Sequence, residues 1–268
     1  MAFEELKERQ SVVWGSGPYE RISEHLEIAH DHLLGAVDAG YGERWLDVAT
    51  GTGEIAVAAA KRGAIVTGLD LAPALIKSAR KRARDSEVDV AFDVGDAERL
   101  PYRDESFDVV SSSFGVMFAP DQHSAATELA RVTRPGGRLA LLNWHPSRGV
   151  AEFFKVMAAY MPPRTQGVGD PFAWGHPDRL SYLLGDEFEL RFEEGDCPQP
   201  GSSAEEIWGL FTTAYGPTKA LAGSLDAEGR AALHRDWLAY FEQFRNGNGI
   251  SQPRPYVLVL GIRREQSR

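Results

Sequence analysis

The sequence has a single cysteine, Cys197, among 268 residues. One thiol can build neither a disulfide framework nor a zinc cluster, so a stapled secreted scaffold is excluded and a reducing cytoplasmic setting is expected. With no assignable histidine or carboxylate partner, Cys197 reads as a small packing residue. No run of about 18 consecutive apolar residues occurs, which excludes a helix of membrane-spanning length. The first ten residues lack the basic start and apolar stretch of a secretory signal. Basic residues are also short, 29 Lys and Arg against 39 Asp and Glu, for a net charge of -10. Such a surface repels polyanions, so no nucleic-acid partner is expected. The basic run Lys77, Arg80, Lys81, Arg82 and Arg84 gives way at once to Asp85, Glu87 and Asp89 and reads as a solvated helix face. Internal repeats and low-complexity segments are missing too. The oligomeric state is left open.

The remainder is an ordinary globular composition, 43% hydrophobic and 25% charged. Residues 44–49, 64–69, 88–93, 107–112 and 138–143 read as strands. Between them, 54–62, 73–84 and 121–133 read as helices, with Pro73 in a first turn where proline is tolerated. Strands alternating with helices at this spacing imply βαβ units and a mostly parallel sheet. The second half differs. Residues 144–185 are aromatic and broken by prolines. Residues 188–196 alternate like a half-buried strand, 204–215 and 228–244 are helical, and 256–262 form a last strand. The chain divides into an N-terminal helical segment (1–43), an alternating α/β core (44–143) and a second half of helices with the last two strands (144–268).

In an open parallel sheet, ligands bind beyond the carboxyl ends of the strands. Glycines and carboxylates gather at those ends. Asp47-Val-Ala-Thr-Gly51-Thr-Gly53 follows the first strand, where glycine lets backbone turn tightly and approach a ligand. Gly51-x-Gly53-x-x-Ala56 also matches a dinucleotide fingerprint. Asp70 follows the second strand, 19 positions beyond Gly51 and close to the ~20 expected of an acid that binds a ribose diol. It is chemically suited to a helix N-terminus as well. Asp96, in Gly95-Asp96-Ala97, follows the third.

Together with Leu100-Pro101, Ser106-Phe107-Asp108 and Arg134-Pro135-Gly136-Gly137, these segments resemble the class I S-adenosylmethionine (SAM)-dependent methyltransferases, in the branch of small-molecule enzymes akin to ubiquinone and menaquinone biosynthesis. The resemblance covers about residues 14–143. It implies a Rossmann-like α/β fold with a seven-stranded mixed sheet, its last strand antiparallel, under a helical substrate cover. It implies SAM as cofactor and S-adenosylhomocysteine as product. Gly51 and Gly53 would pass the methionine end, and Asp47 would hold its amino group. Asp70 would bind the ribose hydroxyls, with Leu71 packed on the adenine. Asp96 would take the adenine amino group and the Ala97 amide a ring nitrogen. Ser113 and Phe114 would lie near the sulfonium. Ala49 departs from the pattern, since many members carry glycine there. Trp14 and Tyr19 would belong to an N-terminal lid whose aromatic faces suit a cation.

A catalytic base is needed only where the acceptor must lose a proton. His145, at the end of the fifth strand, is the candidate. His25, His30, His32 and His123 show no metal spacing, and no metal is expected. Phe153, Phe154, Tyr160, Phe172, Trp174, Trp208, Phe211 and Tyr215 are mostly core. Some could line an apolar pocket, which favours a small apolar or aromatic acceptor. Two other readings stay open. A protein of this fold could bind SAM without methylating, as a regulator or cyclisation catalyst. A nicotinamide-dependent dehydrogenase would find Tyr215-x-x-x-Lys219 with Ser202 upstream, but Gly216-Pro217 should break the helix that this pair requires.

Overall fold

The computed structural model describes residues 3–38 and 40–265. The strands are β1 (Arg44–Val48), β2 (Ile65–Asp70), β3 (Val90–Val94), β4 (Phe107–Ser113), β5 (Thr133–Trp144), β6 (Phe188–Asp196), β7 (Gln199–Gly201), β8 (Arg245–Asn246), β9 (Gly249–Gln252) and β10 (Pro255–Arg263). The helices are α1 (Glu4–Trp14), α2 (Glu20–Ser23), α3 (Glu27–Val37), α4 (Glu54–Lys61), α5 (Pro73–Asp85), α6 (Gln122–Val132), α7 (Val150–Ala158), α8 (Pro177–Leu184), α9 (Ala204–Ala214), α10 (Gly216–Ser224) and α11 (Ala227–Glu242).

Seven strands form one sheet in the order β3-β2-β1-β4-β5-β10-β6. The first five run parallel, and β10 lies antiparallel to both β5 and β6. The chain winds outward from β1 to β3, then returns to place β4 on the other side of β1. That reversal opens a crevice at the carboxyl ends of β1 and β4. β1 is covered on both faces, with Trp45, Leu46 and Val48 almost fully buried, as a central parallel strand requires. A hydrogen-bond chain crosses the switch point: Trp45 Nε1 donates to Ser111 Oγ at 2.8 Å, and Ser111 Oγ donates to Asp47 Oδ1 at 2.7 Å. At the far edge, β6 alternates buried and open positions and carries Glu189, Arg191 and Glu193, charges that discourage edge-to-edge pairing.

α5 buries Leu75, Ile76, Ala79 and Ala83 along one stripe, and its basic residues take local partners. Arg82 pairs with Glu54 at 2.6 Å, Lys81 with Asp85, and Arg80 donates to the Phe92 carbonyl. In the second half, Phe153, Phe211, Trp237 and Phe241 pack against one another with centroids 4.6–6.4 Å apart, tying α7, α9 and α11 together. Trp237 is fully buried, so truncation to alanine should cost about 3–5 kcal/mol.

Two elements differ from expectation. Gly216-Pro217 reads as a stop but starts α10, because proline without an N–H fits a first helical turn. A small sheet, β7-β9-β8, forms where only loop signals stand in the sequence. Its strands are two to four residues long, too short to carry a period. Among the described residues, no helix is long and apolar enough to cross a membrane.

Candidate active site

One cavity occupies the crevice above β1 and β4 and extends to α7, α9 and α11. The loop after β1 forms its floor. Ala49, Gly51 and Gly53 all have positive φ, at +54°, +57° and +85°. Ala49 therefore holds a left-handed conformation that glycine adopts more readily, which accounts for the glycine common at this position. A Cβ on Gly51 would meet nothing nearer than Tyr19 Cε1 at 3.9 Å, so this backbone faces open cavity. Gly53 does not line the cavity. A Cβ there would press on Ala79 at 3.0 Å, so this glycine serves the start of α4 and its packing on α5. The expectation that Gly53 borders a ligand is corrected accordingly.

Asp47 is 1% exposed and lines the cavity. Its carboxylate accepts from Thr50 Oγ1 at 2.6 Å and Ser111 Oγ at 2.7 Å. Burial pushes its pKa up to about 7, with those two hydroxyls pulling the other way. Asp70 is also buried. Its two oxygens accept from the Gly51 and Ala72 amides, each at 2.9 Å, which fixes the carboxylate at the mouth of the β2 turn. Burial raises its carboxyl, against those backbone bonds. Leu71 and Ala97 line the same wall, beside Asp96.

Asp96 has a partner that the sequence patterns do not reveal. Lys7 Nζ donates to Asp96 Oδ2 at 2.7 Å and also pairs with Glu98. Lys7 is 6% exposed. Burial pushes its amine down, but the bonds to both acids more than offset this and leave it above its ordinary range. Glu98 is raised, because its own burial outweighs the pull of Lys7, so the pair is compensated more fully at the amine. Lys7, Gln10 and Trp14 line the cavity from α1 at spacings of three and four. That spacing on a charged helix was the available signal.

The opposite wall is aromatic. Phe114, at φ +55°, stacks on Trp144 with centroids 3.8 Å apart and planes 13° apart. Trp14 meets Tyr19, Phe118 and Tyr215 edge-on at 5.0–6.0 Å. Val150, Phe153, Phe211 and Phe241 continue this surface. Ser113 lines the cavity, and its Oγ has no hydrogen-bond partner among the described residues. A buried hydroxyl without a partner costs about 1–3 kcal/mol, so it marks a place where a ligand atom belongs. Gln252 and Arg254, from β9 and the link to β10, close the far end. Nothing in their sequence context marked them.

The structure does not support His145 as a base. It lies outside the cavity lining, and its ring nitrogens face the Ser147 amide at 3.2 Å and Arg148 Nε at 3.1 Å. Burial and Arg148 lower its pKa. The His145 N–H donates to the Pro255 carbonyl of β10 at 3.0 Å, which fixes the start of the loop after β5. Tyr215 and Lys219 lie one turn apart, joined by the Lys219 N–H to the Tyr215 carbonyl at 3.0 Å, but their side chains diverge. Tyr215 faces the cavity, while Lys219 is exposed and donates to the Ser16 carbonyl. Among the described residues, no cluster of three or more His, Cys, Asp and Glu could hold a metal.

Residues 46–141 match the methyltransferase domain family. The chain is 33% identical over 210 residues to an uncharacterized protein of Mycobacterium tuberculosis, covering 77% of each. It is 32% identical over 175 residues to the demethylmenaquinone methyltransferase of Beutenbergia cavernae, covering 62% of this chain and 68% of that one. Its fold is similar to that of the YcgJ protein from Bacillus subtilis, with a TM-score of 0.62 at 22% identity over 89% of this chain and 99% of that one. SAM is the cofactor of this family, and the residues present fit it. The cavity offers carboxylates at three strand ends, an open Gly51 backbone and the unpartnered Ser113 hydroxyl. The chain belongs to the class I SAM-dependent methyltransferases, in the branch that resembles the enzymes of quinone biosynthesis.

Proposed function

We propose that this enzyme methylates a small aromatic or apolar molecule held against the Phe114–Trp144 wall. One observation carries this reading: one cavity is lined both by the carboxylates Asp47, Asp70 and Asp96 and by aromatic side chains that include Phe114, Trp144, Phe153 and Phe211. SAM, when bound, supplies a methyl group on a sulfonium that is its own leaving group. The protein's task is then to hold, align and keep dry. Asp47 would take the amino group of the methionine end and Asp70 the ribose hydroxyls. Asp96, oriented by Lys7 and the Glu98 amide, would accept from the adenine amino group. Leu71 would pack on the adenine, and the Ala97 amide would meet a ring nitrogen. Trp14 and Tyr19, from the N-terminal helices, would cover the sulfonium end as a lid. Alignment of two reactants is worth up to ~7–11 kcal/mol, which leaves little for a base to add where the acceptor is already a nucleophile.

Calorimetric titration with S-adenosylhomocysteine, NAD and NADP in parallel tests the cofactor half. S-adenosylhomocysteine alone should bind. Asp70→Ala should weaken it by about tenfold to a hundredfold, the worth of hydrogen bonds to a charged group. Binding of a nicotinamide nucleotide, or an Asp70→Ala variant with unchanged affinity, refutes the assignment. Methyl transfer from labelled SAM to a panel of aromatic acceptors then separates an enzyme that methylates from a protein that only binds SAM.

A further inference from the structure

Arg254 is 4% exposed and lines the cavity beside Trp144. A guanidinium carries five N–H donors and stays charged in proteins, so burying one without a counterion is costly. Every hydrogen-bond partner of this side chain is neutral. Nε donates to the Cys197 carbonyl at 2.7 Å, and one terminal nitrogen donates to Gln199 Oε1 at 3.0 Å. The other donates to the His25 carbonyl, with the Pro198 carbonyl at 3.5 Å. Among the described residues, no carboxylate forms an ion pair with the guanidinium; Asp196 spends one oxygen on the Arg254 backbone amide instead. The carbonyls hold the fork in place without neutralising it. Its carbon sits 5.8 Å from the Trp144 ring centroid, and Trp144 is the ring on which Phe114 stacks.

We infer that Arg254 is the anion-binding group of the acceptor site, and that the acceptor is a planar aromatic molecule bearing a carboxylate. This rests on the reading above, in which the aromatic half of the cavity holds the acceptor. The ring would lie among Trp144, Phe153 and Tyr215, and the carboxylate would accept from the one terminal N–H that the three carbonyls and Gln199 leave free. A buried cation on an otherwise apolar wall selects strongly. A neutral isostere leaves the guanidinium without its counterion, whereas the acid supplies one.

The test uses the full chain saturated with S-adenosylhomocysteine, titrated with matched pairs: 2-naphthoate against 2-naphthamide, and benzoate against benzamide. The acids should bind at least about tenfold more tightly than the amides, as for a charge-assisted hydrogen bond in a buried site. Arg254→Gln should abolish that preference, while S-adenosylhomocysteine affinity stays within about twofold; a larger loss of that affinity would mean that the guanidinium holds the cofactor's own carboxylate and overturns the inference. Arg254→Lys, which keeps the charge and loses the fork, should retain a reduced preference and decides the matter if the Gln variant does not fold. Equal affinity for acids and amides in the unaltered protein overturns the inference. So does a preference that survives Arg254→Gln, or one that Arg254→Lys lacks altogether. Failure of S-adenosylhomocysteine to bind the unaltered protein is a separate result, and it refutes the cofactor reading beneath.

Discussion

The two halves of the cavity are built in opposite ways. The cofactor half comes from three consecutive strand ends, and backbone does much of the work. The Gly51 and Ala72 amides lock Asp70, and a positive-φ turn presents Gly51 to open space. The acceptor half is assembled from β4, β5, α7, α9, α11 and the link between β9 and β10, segments far apart in the chain. Side-chain shape dominates there, and the polar groups that matter arrive singly. A site made of local turns leaves local signatures. A site made by packing distant helices does not.

That contrast can be broken at three points. The largest effect is expected at Lys7, which lies far from the β-strand ends in sequence and yet belongs to the cofactor half. Lys7→Met leaves Glu98 and Asp96 facing each other without a cation, and loss of one partner from a buried pair costs about 3–5 kcal/mol. Thermal unfolding should shift by several degrees, and S-adenosylhomocysteine should bind more weakly. A variant that melts with the unaltered protein would mean that α1 is not fastened through this residue.

A smaller effect is expected from pH. Asp47 is raised from 3.8 to about 7 by burial, so the folded state holds a proton that the unfolded state releases. Its contribution to stability is full below about pH 4 and is lost as the pH rises through 7, so the ligand-free protein should melt progressively lower over that range. A bound ammonium needs the ionised carboxylate, so S-adenosylhomocysteine affinity should climb by up to about tenfold per pH unit toward pH 7 and then level off. Calorimetry from about pH 5.5 to 8 measures this slope, and Asp47→Asn should flatten it. A flat profile in the unaltered protein would show that Asp47 does not meet the amino group.

The smallest effect is expected at His145. His145→Ala should leave methyl transfer within about twofold, because its ring nitrogens face Arg148 and Ser147 and not the cavity. A loss of about a hundredfold or more would return it to the site and require the loop after β5 to move.

Legibility in the amino-acid sequence follows the same division. The βαβ periodicity, the strand arrangement implied by the family resemblance, and the positions of Asp47, Gly51, Asp70 and Asp96 are legible there. Each depends on a period of two or 3.6, or on a turn that only certain residues tolerate. The same local logic misplaces Gly53, whose missing side chain serves packing on Ala79, and His145, whose ring nitrogens face Ser147 and Arg148. It also takes Gly216-Pro217 for a stop, although this pair starts α10. Lys7, the Phe114–Trp144 stack and Arg254 become visible only in three dimensions. Arg254 meets the carbonyls of His25, Cys197 and Pro198, contacts set by how the N-terminal helices dock on the last strands. The amino-acid sequence by itself determined the sheet, its turns and the carboxylates at the strand ends, since these follow from local backbone geometry. Only the tertiary structure decided which aromatic rings and which charge line the cavity, since burial is a property of the packed whole.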